Sequence, residues 1–293
     1  MSSGSFSLEE ILNQVSSIAE CRYDEDAIKE NLVALKREAL EQDQQEVAAH
    51  IWCLQEAISV HSSYLAAFSM LKQRAFYDAW CELEKAEKGL WAIKPPQKYL
   101  PDYWEGIWIG GRYDFIEKHV SRWQGLFPYE CFISPGMTYK EYCSVCNSEI
   151  NPRKPCGHND GEIYHGEMRM RLITDIKYNH IALVRNPANR FSVLFLVDPE
   201  TGEQVDHYDY RLVEGLASVL TDPFQEWDYV IQQVERDYAY FKELGVGEQD
   251  PCPCCSEKKY GDCCINSAIS MPHFQFTMTR FHLGPFEIKV STQ

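Results

Sequence analysis

The 293-residue sequence has no long hydrophobic run. No apolar stretch approaches the roughly 20 residues that a helix needs to cross a bilayer. Its first residues, Met1-Ser2-Ser3-Gly4-Ser5, also lack the basic and then apolar pattern of a secretory signal. We therefore expect a cytoplasmic protein that is not inserted in a membrane. The hydrophobic fraction of 45% excludes an intrinsically disordered chain.

Positive charge is scarce as well. The 28 lysines and arginines face 44 aspartates and glutamates, which gives a formal net charge of −16. This balance disfavours a broad nucleic-acid-binding surface, because affinity for phosphates depends on clustered Lys and Arg. One local basic stretch leaves nucleic-acid contact open as an alternative for a protein of phage, mobile-element or defence origin. It consists of Arg169, Arg171, Lys177, Arg185 and Arg190.

The common catalytic motifs are missing too. The sequence has no G-x-x-x-x-G-K-[ST], no H-E-x-x-H and no G-x-S-x-G. Acid and base pairs cannot be chosen from 44 carboxylates by sequence alone, so no catalytic residue is assigned. An enzyme of unrecognised type remains an alternative, with its site between a helical front and an aromatic segment.

Cysteine, by contrast, is abundant. Of the 12 cysteines, five fall between residues 252 and 264, namely Cys252, Cys254, Cys255, Cys263 and Cys264. Thiolates at C-x-C and C-C spacing, separated by a short loop, can close a tetrahedron around Zn²⁺. A site with four protein ligands leaves no position open for substrate, so the pattern predicts a structural metal ion.

This segment resembles the SEC-C motif, the zinc-binding tail of the preprotein translocase ATPase SecA. The resemblance covers residues 250–264, and residues 271–276 are similar to the aromatic strand that follows the motif in some stand-alone SEC-C proteins. It implies the ligands Cys252, Cys254, Cys263 and Cys264, and a SecB-like chaperone or the ribosome as partner. The family usually has Gly at the position of Cys255, which could also compete with Cys254 as ligand.

A second group of possible ligands lies mid-chain. Cys143 and Cys146 have the C-x-x-C spacing of a zinc knuckle, and Cys156 with His158 would complete a four-ligand site, with His165 as a possible substitute for His158. The block resembles a zinc ribbon of phage-derived proteins. The alternative is that the three cysteines are buried apolar residues and His158 is a surface residue. With both sites formed, the chain would hold two structural zinc ions.

The sequence before the knuckle is helical and then aromatic. A capping box at Ser7 and Glu10 begins a helix, and apolar residues at helical spacing predict further helices over 24–41 and 45–72. A partner helix ends at Lys94-Pro95-Pro96. Nine aromatic residues between 99 and 129 are expected to form core that joins the helices to the ribbon.

Behind the knuckle we expect strands and then helices. Strands are predicted over 168–172, 181–184 and 191–197, and helices over 212–220 and from Trp227 to Gly245.

The predicted fold is therefore α+β in four segments: a helical domain (1–96), an aromatic-rich connecting segment (97–139), a zinc-ribbon domain with a small β-sheet and helices (140–248), and a SEC-C-like zinc module (249–293). We expect a zinc-binding adaptor or interaction protein whose C-terminal module docks a protein partner.

Overall fold

The computed structural model describes residues 8–15, 18, 25–94 and 104–278. In these residues the chain combines helices with small two-stranded antiparallel sheets, which agrees with the predicted α+β class. Its internal contacts divide it into two units, Met1–Tyr210 and Arg211–Gln293. The four segments expected from the sequence stay a prediction about domain boundaries.

The first unit begins with helices, and the apolar spacing predicts the first four of them. They are α1 (Leu8–Val15), α2 (Glu25–Glu41), α3 (Gln45–Lys72), α4 (Phe76–Ile93), α5 (Trp104–Gly110) and α6 (Tyr113–Gln124). The 28 residues of α3 match the predicted range, and Ile51, Leu54 and Ile58 are fully buried along it. The capping residue Ser7 lies outside the described residues. None of the helices in the described ranges has both the length and the apolar character that crossing a membrane requires.

The aromatic segment forms core, which confirms that prediction for the residues described here. Trp104, Tyr113 and Trp123 are buried, and the Tyr113 hydroxyl donates a hydrogen bond to Ala57 O at 2.8 Å. Tyr99 and Tyr103 of this segment lie outside the described residues. Helices α5 and α6 form in a stretch where the sequence predicted only aromatic core. The aromatic side chains therefore line the helical layer itself.

The sheet of this unit is mainly one long ribbon. Strands β1 (Phe132–Cys143) and β4 (Arg171–Val184) pair antiparallel, from Phe132 opposite Val184 to Cys143 opposite Arg171. Short hairpins accompany it, and they are formed by β2 (Ile163–Tyr164) with β3 (Glu167–Met168), and by β5 (Leu196–Val197) with β6 (Gln204–Val205).

Two of the strand predictions need correction. The expected strand over 181–184 is confirmed as the end of the 14-residue strand β4, but only residues 171 and 172 of the expected strand 168–172 belong to β4, and Met168 belongs to β3. Only Leu196–Val197 of the expected strand 191–197 is a strand. Polar residues and two register irregularities interrupt the alternation of β4, which is why its middle was missed. Most of β1 lies in what the sequence suggested was a connecting segment.

The second unit contains a helix, a two-stranded sheet and the C-terminal cysteine loop. Its elements are α7 (Arg211–Val219), β7 (Trp227–Arg236), α8 (Tyr238–Glu243), a single 3₁₀ turn (Tyr260–Asp262) and β8 (Ile269–Met278). The predicted helix from Trp227 to Gly245 is wrong over its first ten residues, which pair as β7 with β8. The helix begins only after Asp237, whose side chain caps it by accepting from Tyr240 N at 3.2 Å.

Candidate metal centres

The C-terminal cluster brings together four cysteine sulfurs. The Sγ atoms of Cys252, Cys254, Cys263 and Cys264 all lie within 4.8 Å of one another. Cys263 Sγ is 3.6 Å from both Cys254 Sγ and Cys264 Sγ. Sulfurs bound at about 2.3 Å to a tetrahedral zinc ion lie about 3.8 Å apart, so the spacing fits a metal of that size.

Backbone hydrogen bonds fold the loop back on itself. Cys252 N donates to Lys258 O at 2.8 Å, and Tyr260 N donates to Asp250 O at 2.8 Å. These bonds bring the C-x-C pair beside the 3₁₀ turn that leads into Cys263. Tyr260 is fully buried and packs with Phe241. The module is thus a tight loop fixed to a small aromatic core.

Cys255 stands outside the cluster. It is exposed, and its backbone takes a left-handed conformation with φ of 62°. The structure therefore groups Cys254, and not Cys255, with the other three thiols. The SEC-C motif usually has Gly at this position, and the positive φ gives the reason. Glycine adopts this conformation without the steric cost that a Cβ brings.

The thiols of Cys252, Cys254 and Cys264 differ in their pKa values. Hydrogen bonds from the Ser256 side chain and from Cys252 lower the pKa of Cys254 to about 6. Hydrogen bonds with the sulfurs of Cys263 and Cys254 raise the pKa of Cys264 to about 12, and burial raises that of Cys252. Negative charge on one sulfur opposes charge on the next, and a divalent cation at the centre would remove that opposition.

The central cluster joins the knuckle to the next loop. One ligand atom each from Cys143, Cys146, Cys156 and His158 lies within the same 4.8 Å limit. The knuckle turn is closed by Asn147 N, which donates to Cys143 O at 2.8 Å. The expectation that the three cysteines are only buried apolar residues does not fit this convergence, since Cys146 is exposed.

His158, rather than His165, points its ring at the cysteines. Among the residues that the structure describes, its buried Nδ1 has no hydrogen-bond partner, and the ring packs edge-on against Tyr164 at 4.8 Å. Buried polar atoms normally have a hydrogen-bond partner, so a buried imidazole nitrogen without one is suited to bind a metal ion. His165 is exposed in the two-residue β2–β3 turn, where it and Gly166 both have positive φ.

A buried arginine that the sequence did not single out as part of the site contacts the central cluster. Burial acts to raise the pKa of Cys143, but the backbone N–H groups of Cys146 and Val145 and the Arg169 side chain lower it to about 6. The Arg169 side chain is 4% exposed and forms an ion pair with Asp160. In the sequence, the only local indication that Arg169 is buried was its position between Met168 and Met170.

The basic stretch does not form a free cationic surface. Arg171 pairs with Asp160 at 2.6 Å, and Arg190 pairs with Glu87 at 3.2 Å. Arg169 also pairs with Asp160, so carboxylates neutralise three of the five cations of the basic stretch. The other two, Lys177 and Arg185, are exposed. This pairing weakens the case for phosphate binding, because paired cations release few counterions.

Comparisons of the chain with protein-family models, with curated proteins and with solved structures find no match. The SEC-C and zinc-ribbon resemblances therefore depend on their motif residues alone. The geometry establishes two clusters of four soft donors, each able to hold one metal ion.

Proposed function

We propose that this protein is a zinc-binding interaction protein of the cytosol. Two structural Zn²⁺ ions would stabilise its central and C-terminal modules, and the C-terminal module would dock a protein partner. The convergence of two separate four-donor clusters supports this proposal most strongly. Three thiolates and an imidazole, or four thiolates, are donor sets of structural zinc sites, whereas catalytic zinc sites keep one position for water or substrate.

The surface of the C-terminal loop supports a docking role. Residues 255–259, between the two ligand pairs, are all exposed, while the ligand Cys252 and the aromatic anchor Tyr260 are buried. A metal at the cluster would fix the shape of this exposed loop. By its resemblance to the SEC-C motif, the module would bind a SecB-like chaperone or the ribosome.

Matched variants test the metal sites separately. Cys263→Ser should lower the zinc content of the full chain from two ions to one, while the neighbouring Cys255→Ser should leave it at two. At the central site, His158→Ala should remove one ion and His165→Ala should remove none. Zinc retained by Cys263→Ser or lost from Cys255→Ser would contradict the assigned ligands.

The docking role needs its own experiment. Purified SecB and ribosomes would be titrated separately with the wild-type chain, with Cys263→Ser and with Cys255→Ser. Binding that is lost with Cys263→Ser and retained with Cys255→Ser supports a metal-shaped docking module. Absence of binding to both partners would reject these two partner classes and leave the metal assignment unaffected.

A further inference from the structure

The β1–β4 ribbon exposes a continuous apolar face. Cross-strand partners in an antiparallel pair lie on the same face, and Ile133 is opposite Leu183, Pro135 opposite Ile181, and Met137 opposite Tyr178. The pairing continues past two register irregularities, with Tyr139 and Ile176 between paired positions of the other face and with Glu141 opposite Ile173 at the edge near the knuckle. Six exposed large side chains form this face, which we call the apolar ribbon face. They are Tyr139, Ile173, Ile176, Tyr178, Ile181 and Leu183.

The opposite face of the ribbon is polar in its middle part. It carries Thr138 opposite Lys177, Lys140 opposite Thr174, and Gly136 opposite His180. The His180 ring lies so close over Gly136 that a Cβ there would come within 2.2 Å of it. The two faces therefore differ in chemistry in the middle of the ribbon, while near the knuckle the second face also exposes Leu172.

The side chains of this apolar face are strongly exposed to solvent. Tyr178 and Ile181 are each 71% exposed. The six side chains together expose roughly 600 Å², at the upper end of the largest patch on a typical monomer. A standard protein interface buries about 800 Å² on each partner, so this face with its rim is of the size that a stable interface needs.

We propose that the apolar ribbon face is a homodimer interface, in which the ribbons of two copies of this chain pack face to face. The six side chains carry no charge, and Glu141 at the edge of the same face pairs with Arg171 at 3.3 Å, so two chains with a net charge of −16 each can meet here without opposing unpaired like charges directly. An apolar face is also complementary to itself, as an interface with twofold symmetry requires. The area available from two copies reaches the range of stable dimers.

The test compares charge insertions on the two faces of β4. Ile181→Glu and, independently, Tyr178→Lys place a charge on the apolar ribbon face, while Thr174→Glu places one on the polar face, at an exposed position of the same strand. Sedimentation at micromolar concentration should give the wild type and Thr174→Glu twice the 34.0 kDa mass of one chain. Ile181→Glu and Tyr178→Lys should each sediment as a single chain, with a dissociation constant at least tenfold higher.

Zinc content and circular dichroism accompany each sample, so that misfolding and failure of the metal sites are seen separately from dissociation. A wild-type chain that sediments as a monomer overturns the proposal, and a monomer whose ribbon face is protected from hydrogen exchange shows that another segment covers it. A dimer that persists in both Ile181→Glu and Tyr178→Lys assigns the interface to another surface and overturns it equally.

Discussion

Ser144 and Met170 exchange two hydrogen bonds across the central site. Ser144 N donates to Met170 O at 3.1 Å, and Met170 N donates to Ser144 Oγ at 2.9 Å. The first joins backbone to backbone, and the second uses the serine side chain within the C-x-x-C turn. The pair fastens the knuckle to the segment that contains the buried Arg169 and leads into β4.

Removing the Ser144 hydroxyl should loosen this connection. We expect Ser144→Ala to lower the free energy of unfolding by about 1 kcal/mol, because Met170 N loses its acceptor. It should also speed the transfer of zinc from the central site to a chelator. Ser148→Ala is the control, since within the described part of the chain Ser148 joins the turn through its backbone carbonyl alone. Equal zinc-transfer rates in the two variants would contradict the role of the hydroxyl.

The buried Arg169 should act as counter-charge to the central cluster. Three thiolates and a neutral imidazole around Zn²⁺ carry a net negative charge, and the Arg169 guanidinium donates to Cys143. We expect Arg169→Met to weaken zinc affinity at this site by about 10- to 100-fold, the usual loss for a partner that supports metal ligands. Competition with a chromophoric chelator measures the affinity.

Arg171→Met is the matched control for that experiment. Arg171 also pairs with Asp160, but its side chain is half exposed, and exposed ion pairs contribute little. Its replacement should change zinc affinity by less than about threefold. If both arginines proved equally important, the effect would come from Asp160 and the counter-charge explanation would fail.

The left-handed backbone at Cys255 should make glycine the better residue there. We expect Cys255→Gly to raise the stability of the full chain by about 0.5–1 kcal/mol, since the cost of a Cβ at positive φ exceeds the added freedom of the unfolded chain. Chemical denaturation would measure it. Cys255→Ala removes the same thiol but keeps the Cβ and should show no gain. Equal stabilisation by alanine would point to the thiol rather than to the backbone.

Glu84 should make stability depend on pH. Burial, with the neighbouring Glu87 charge, raises the pKa of Glu84 from 4.5 to about 7, although Arg190 opposes the shift. A carboxyl whose pKa is raised by folding adds stability that is complete below pH 4.5 and is lost as the pH rises through about 7. Glu84→Gln should therefore be more stable than the wild type at pH 8, by about 2 kcal/mol, and the advantage should disappear below pH 5. A pH-independent difference in denaturation midpoint would contradict the assignment.

Local chemistry made the helices and the cysteine clusters predictable. Apolar residues at helical spacing defined α3, and the C-x-x-C, C-x-H, C-x-C and C-C spacings indicated the eight residues that the structure brings into two groups. In both cases the signal lies within a few neighbouring residues. The sequence already favoured Cys254 over Cys255 and His158 over His165, and the structure adds the physical reason, since Cys255 and His165 both lie in backbone turns with positive φ outside the two groups.

Features that depend on distant partners were the ones missed. Trp227, Ile231 and Val234 have helical spacing, yet they form strand β7 because Ile269–Met278 lies alongside, more than 30 residues further along the chain. Arg169 was read as part of a basic stretch because its burial against Asp160 and Cys143 is set by tertiary structure.

Elemental analysis of the native 293-residue chain, purified without added metal or chelator, tests the central claim most directly. Two closed clusters of four donors each predict close to two zinc atoms per chain, and loss of both should unfold the loops that carry the ligands. A folded chain that contains no bound zinc and keeps its stability in the presence of a strong chelator would contradict the account.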